Sequence, residues 1–210
     1  MESLTVITTK GLVKHVNEDV VAVADTDTSL AICICDGHWG DSAAKLASST
    51  LISKFPKSKT EAIGILSRIE HQLFDQFRDT ANPPETSVLA IQIDRHNLRL
   101  HYLGYGDCRL LISRKYRILL DLPTAPTWLG PLSYQKIRNR LPVQKAARYG
   151  MIRLRKDDRI QLFTDGIDEC VYETPTLSRR WLIRHTPSEI LSRVIAKGAQ
   201  DNASLVLFEC

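Results

Sequence analysis

"LAICICDGHWGDSAAK", residues 30–45, decides how this chain is read. Leu30 to Cys35 is an apolar run without interruption, the mark of a strand covered on both faces. It ends on Asp36-Gly37-His38. From Asp41 the apolar residues change period: Ala43, Ala44, Ala47 and Leu51 recur every three to four positions, which predicts a helix through Phe55, where Pro56 stops it. A buried strand thus delivers a carboxylate, Asp36, into a glycine-rich corner that leads to a helix.

Outward from that corner, Thr5–Thr9 and Asp19–Ala24 predict strands, and Ile63, Leu66, Ile69, Leu73 and Phe77 predict one stripe of a helix over Thr60–Arg78. Strands follow at Ser87–Ile93, Leu98–Tyr105 and Cys108–Ser113, with Asp94-Arg95-His96-Asn97 as a hairpin loop. Residues 121–150 carry prolines, glycines and basic residues and read as an irregular basic excursion within one domain spanning 1–210. Strands at Met151–Leu154, Arg159–Phe163 and Ser204–Phe208 and a helix at Pro187–Ala196 complete the pattern. Helices interrupting antiparallel strand runs predict an α+β sandwich.

With 210 residues and 43% hydrophobic content the chain has material for a sizeable core. No apolar run reaches the roughly 18 residues a membrane span needs, so a cytoplasmic protein is expected. Five cysteines at unpatterned spacing read as reduced core thiols. Between Arg114 and Arg159 there are twelve Lys or Arg against three Asp, a surface suited to an acidic or phosphorylated partner. No aromatic-interleaved motif or recognition helix accompanies it, so no nucleic acid is expected.

Asp36 has company. Asp165 ends "RIQLFTDG", Asp107 ends "HYLGYGD", Asp19 opens "NEDVVAVA" and Asp201 opens "DNASLVLF". Carboxylates at the ends of core strands are partly dehydrated and repel one another, unless cations sit among them. Hard divalent ions, Mg²⁺ or Mn²⁺, suit such oxygen ligands. Glycine after Asp36 and after Asp165 would let the backbone approach an ion and offer a carbonyl.

In order along nearly the whole chain, "KHVNED" (14–19), "DGHWG" (36–40), "LGYGDCRLLI" (103–112), "FTDGIDE" (163–169) and "DNASLVL" (201–207) resemble the successive motifs of the type 2C, metal-dependent protein serine/threonine phosphatases. The resemblance implies a four-layer α-β-β-α sandwich, two antiparallel sheets flanked by helix pairs, with two Mg²⁺ or Mn²⁺ ions at one end. It implies that Asp36 bridges both ions beside the Gly37 carbonyl, with Asp19, Asp165 and Asp201 as further ligands and Glu18 acting through bound water. His38 matches the general acid, and Lys14 stands where the family commonly has a phosphate-binding arginine. Asp107, with Asp168 or Glu169, matches an extra, weaker metal site. Implied partners are a phosphorylated protein substrate and a cognate serine/threonine kinase. The resemblance departs at Lys14, which lacks bidentate geometry, at "ETSVLAIQI" (85–93), which lacks the family's glycine, and at 121–150. Those departures keep a second reading open, a catalytically silent binding or regulatory module.

Two other signatures are weak in context. Asp25-Thr26-Asp27-Thr28-Ser29 resembles the nucleophile loop of haloacid-dehalogenase-type enzymes, but the next strand begins at once, where that loop needs a crossover helix. Cys108 to Arg114 has tyrosine-phosphatase spacing, but its intervening residues are strand-like and hold no glycine.

Overall fold

The computed structural model describes residues 2–122, 125–131, 141–171 and 175–210, with the backbone alone at 169–171 and 175–178. Lys136, Arg138 and Arg140 of the basic excursion and the Glu169 side chain therefore lie outside the described residues.

Among the described residues, ten strands form two antiparallel sheets. In chain order they are β1 (Ser3–Thr9), β2 (Val20–Asp25), β3 (Ser29–His38), β4 (Glu85–Asp94), β5 (Arg99–Tyr105), β6 (Arg109–Arg114), β7 (Arg117–Asp121), β8 (Arg148–Arg153), β9 (Asp158–Phe163) and β10 (Ala203–Glu209). One sheet runs β2-β3-β4-β5-β8 and the other β1-β10-β9-β6-β7. The two-residue period of β3 assigns its side chains to two layers. Leu30, Ile32 and Ile34 join Leu89, Ile91, Leu110, Ile160, Leu162, Val206 and Phe208 between the sheets. Cys33 and Cys35 turn the other way, onto the helices α1 (Ser42–Ser53) and α2 (Lys59–Phe77). Ala43, Ala44 and Ala47 are the buried face of α1, and their small side chains let the helix lie close on the sheet. Each Leu or Ile buried in such a layer contributes about 1.5–3 kcal/mol.

The other sheet is covered by α4 (Asp165–Val171), α5 (Pro175–Leu182) and α6 (Pro187–Ala196), whose Ile167, Leu182, Ile190 and Val194 pack with Leu111, Phe163 and Leu205. The result is the α-β-β-α sandwich. Helix starts are secured locally: Ser58 caps α2 by accepting from Glu61 N, and Thr186 and Glu189 form a reciprocal capping box on α6.

The structure adds elements that periodicity did not show. β7, the four-residue α3 (Val143–Ala146) and the seven-residue α4 are each shorter than the window in which a period can be read. Described residues of the stretch 121–150 make defined contacts. Leu129 pairs with Thr86 across an isolated bridge, Tyr105 Oη lies 3.0 Å from Thr127 Oγ1, and β8 begins at Arg148.

Candidate metal centre

β3 does not end at Asp36. Asp36, Gly37 and His38 stay in the strand, opposite Ser87, Thr86 and Glu85 of β4. Asp36 shares its face with Ile34 and Ile32, so the inter-sheet core passes directly into a carboxylate at one end of the sandwich. Thr86 Oγ1 donates to the Asp36 carbonyl at 2.7 Å, which holds β3 against β4 at this point. Asp107 comes from the turn before β6, Asp165 opens α4, Asp201 lies just before β10, and Asp19 stands just before β2. Both sheets therefore feed the same end.

Asp19 and Asp36 are 9% and 5% exposed. Burial, with the charges of Asp165, Asp19, Asp107 and Asp201, pushes the Asp36 carboxyl up to about 10. Burial likewise pushes Asp19 up to about 7, against hydrogen bonds from Ser204 and Thr164. Asp107 and Asp165 are raised as well, each mainly by burial. The shared direction of these shifts means that the fold brings the four groups together without supplying enough positive charge. Asp19 Oδ1, Asp36 Oδ2 and Asp107 Oδ1 are also buried without a hydrogen-bond partner. Clustered, underpaired carboxylate oxygens fit hard divalent ions such as Mg²⁺ or Mn²⁺.

Lys14 brings a cation to one of these carboxylates, its Nζ lying 3.0 Å from Asp201 Oδ1 and 3.9 Å from Glu18 Oε2. Burial lowers the Lys14 pKa, but Asp201, with Glu18 and Asp36, raises it, and the net shift is upward. Glu18 Oε1 accepts from Gly40 N and joins the 14–18 loop to the turn after β3. Asp168 pairs with Arg109 at 3.0 Å, and Arg109 also meets Asp121 at 3.1 Å, so this carboxylate is held in an ion-pair chain beside the cluster.

Three features escaped the sequence reading. Asn202, 2% exposed, accepts from Glu18 N and donates to Lys10 O and Val16 O, which ties the 10–18 loop to the start of β10. Thr164 Oγ1 donates to Asp19 Oδ2 at 3.0 Å. Trp128, from the basic excursion, sets its ring edge to face against His38, with centroids 5.5 Å apart and planes at 84°. Asn202 adjoins a predicted ligand and could have been suspected from that; Trp128 carried no signal. The glycines also do more than expected. A Cβ on Gly37 would stand 2.5 Å from Glu18 O, and one on Gly166 would stand 2.0 Å from Asn202 O. Their freedom serves the approach of one loop to another.

The two rival motifs fall apart in the fold. Asp25 closes a hairpin at the opposite end of β2 and β3 from Asp36, paired with Arg95 at 2.6 Å. Cys108 and Arg114 lie at opposite ends of β6, and Arg114 is held bidentately by Asp158.

No protein-family model matches the sequence, and no curated protein matches it. Solved structures do. A serine/threonine phosphatase from S. agalactiae superposes with a TM-score of 0.75 at 13% identity, covering 100% of this chain and 99% of that one. The Mycobacterium tuberculosis serine/threonine phosphatase PstP/Ppp gives 0.68 at 17%, covering 99% and 98%. RsbX in complex with magnesium gives 0.71 at 12%, covering 99% and 94%. The chain has the fold of bacterial serine/threonine phosphatases, as the type 2C resemblance implies.

Proposed function

We propose that this chain, as one domain, is a Mg²⁺- or Mn²⁺-dependent phosphatase of phosphoserine and phosphothreonine in proteins. The observation that carries the reading is the convergence of Asp19, Asp36, Asp107 and Asp165 on one end of the sandwich, all with carboxyls raised by burial. Asp19, Asp36, Asp165, Asp201 and the Gly37 carbonyl would hold two ions, with Glu18 acting through water and Asp107, Asp168 or Glu169 serving a weaker third site. When bound, the ions supply an activated water and offset the charge of the phosphoryl oxygens.

The residues of the chain do the rest. His38, beside Asp36 on the same face of β3, donates a proton to the departing seryl or threonyl oxygen. Lys14 turns toward the substrate phosphate as a point charge, which requires it to leave Asp201. Trp128 holds the His38 ring edge-on. Cys33, Cys35, Cys108 and Cys210 are free thiols, and no described helix is long and apolar enough to cross a membrane. Both suit a reducing cytoplasm, where a serine/threonine kinase would make the substrate.

The test is hydrolysis of a phosphothreonine peptide with and without Mn²⁺. Turnover should need the metal, vanish in Asp36→Asn and Asp165→Asn, and survive in Asp25→Asn, whose carboxylate lies at the far end of the sheet. One observation favours the silent-module reading, the Lys14–Asp201 pair that engages the phosphate-binding cation internally. Metal and phosphopeptide binding without turnover would establish that reading instead.

A further inference from the structure

We propose that Asp36, His38 and Asp107 form a second kind of metal site, one that takes a borderline transition-metal ion of the Zn²⁺ class, and that filling it switches the enzyme off. The ligand atoms of these three residues all lie within 4.8 Å of one another. Asp36 is 5% exposed, and Asp36 Oδ2, His38 Nε2 and Asp107 Oδ1 are each buried without a hydrogen-bond partner. Leaving such atoms unsatisfied is unfavourable, and one ion shared by the three would satisfy them together.

The strand explains the arrangement. Residues two apart on β3 face the same side, so Asp36 and His38 present a carboxylate and an imidazole to one point. Asp107 meets them from the turn between β5 and β6. The edge contact with Trp128 holds the His38 ring in place before any ion arrives.

The donor set decides the metal. Imidazole nitrogen suits zinc, copper, nickel and iron, whereas Mg²⁺ prefers oxygen alone. Two carboxylates and one imidazole supply three ligands and leave a position open to water or a phosphate oxygen. An ion bound here takes the Nε2 lone pair, so that nitrogen can no longer carry the proton destined for the leaving oxygen, and it draws Asp36 from the Mg²⁺ or Mn²⁺ site. This inhibition rests on the phosphatase reading above, but the binding does not.

The experiment measures Zn²⁺ affinity by calorimetry on the full chain, for wild type, His38→Gln, Asp107→Asn and Asp25→Asn. In parallel, the imidazole ¹⁵N resonances of the wild type are followed as Zn²⁺ or Mg²⁺ is added. We expect the tightest Zn²⁺ site to weaken at least tenfold in His38→Gln and Asp107→Asn and to be unchanged in Asp25→Asn. Mg²⁺ affinity should stay within twofold in His38→Gln, and the His38 Nε2 resonance should move with Zn²⁺ and stay put with Mg²⁺. Equal Zn²⁺ affinity in wild type and His38→Gln, or an unmoved His38 resonance at saturation, would overturn the site. The resonance decides the matter alone should the variant fail to fold. Zn²⁺ capture at His38 in a chain that never hydrolyses phosphopeptide with Mn²⁺ would keep the site and sink the phosphatase reading. Active enzyme whose Zn²⁺ binding ignores His38 would do the reverse.

Discussion

Asp36 stands among four other aspartates with 5% of its surface exposed, and burial, with their charge, raises its carboxyl to about 10. An acid raised in the folded state keeps its proton where the unfolded chain has already released it. Its effect on stability is therefore nil below the unfolded value of 3.8 and increasingly unfavourable as pH climbs toward the folded value. For the metal-free protein this predicts a Tm that falls from about pH 4 upward, the Asp19 contribution levelling off near 7 and the Asp36 contribution continuing to near 10. Thermal melts in EDTA across that range check it, and a Tm that rises from pH 5 to 9 would refute it. Mn²⁺ should raise Tm more at pH 8 than at pH 5, because only the ionised carboxylates bind it. By the same logic Asp36→Asn should raise the Tm of the metal-free chain by about 2–6 °C, roughly 1–2 kcal/mol, while Mn²⁺-dependent hydrolysis falls about 100-fold or more. The carboxylates were legible as residues because charged side chains next to core strands are costly and need a reason. Their shared location was legible only through the ordered motifs of the type 2C resemblance and not from spacing, since they stand up to 182 positions apart, from Asp19 to Asp201.

Among elements, β3 and its neighbours position the site by backbone contacts that only small or specific side chains permit. Adding a methyl group at Gly37 places it 2.5 Å from Glu18 O, so Gly37→Ala should cost about 1–3 kcal/mol in urea melts and shift the 14–18 loop. A change in melting midpoint under about 0.3 kcal/mol would show that the loop yields easily. Asn202→Ala removes the acceptor for Glu18 N and the donor to Lys10 O and Val16 O, a loss of about 2–3 kcal/mol, and should weaken Mn²⁺ binding although Asn202 touches no ion in this scheme. Leu30–Cys35 was readable as a strand because it is apolar on both faces, and α1 because its alanines repeat at helical spacing. The continuation of β3 through His38 was not readable. Pairing with Glu85, Thr86 and Ser87 supplies hydrogen bonds that local propensity cannot foresee.

Across the whole molecule, the candidate centre draws ligands from both sheets and from the loops joining them to helices. Mn²⁺ should therefore slow amide exchange together at residues 10–19, 36–40, 164–168 and 201–203, with the middle of β4 already slow in the absence of metal. Protection confined to one sheet would contradict a shared centre. The order of motifs and the alternation of strands and helices already determined an α+β sandwich with acidic strand ends, because burial periods and the cost of dehydrating charge are properties of short segments. Tertiary structure alone decided that Trp128 rests on His38, that Asn202 binds the loop behind Glu18, that Lys14 pairs with Asp201 and that Asp168 pairs with Arg109. Each of these contacts joins parts of the chain far apart in sequence, brought together by strand pairing within a sheet, as for Lys14 with Asp201 and Arg109 with Asp168, or by the meeting of loops at one end of the sandwich, and no local pattern carries information about a partner that distant.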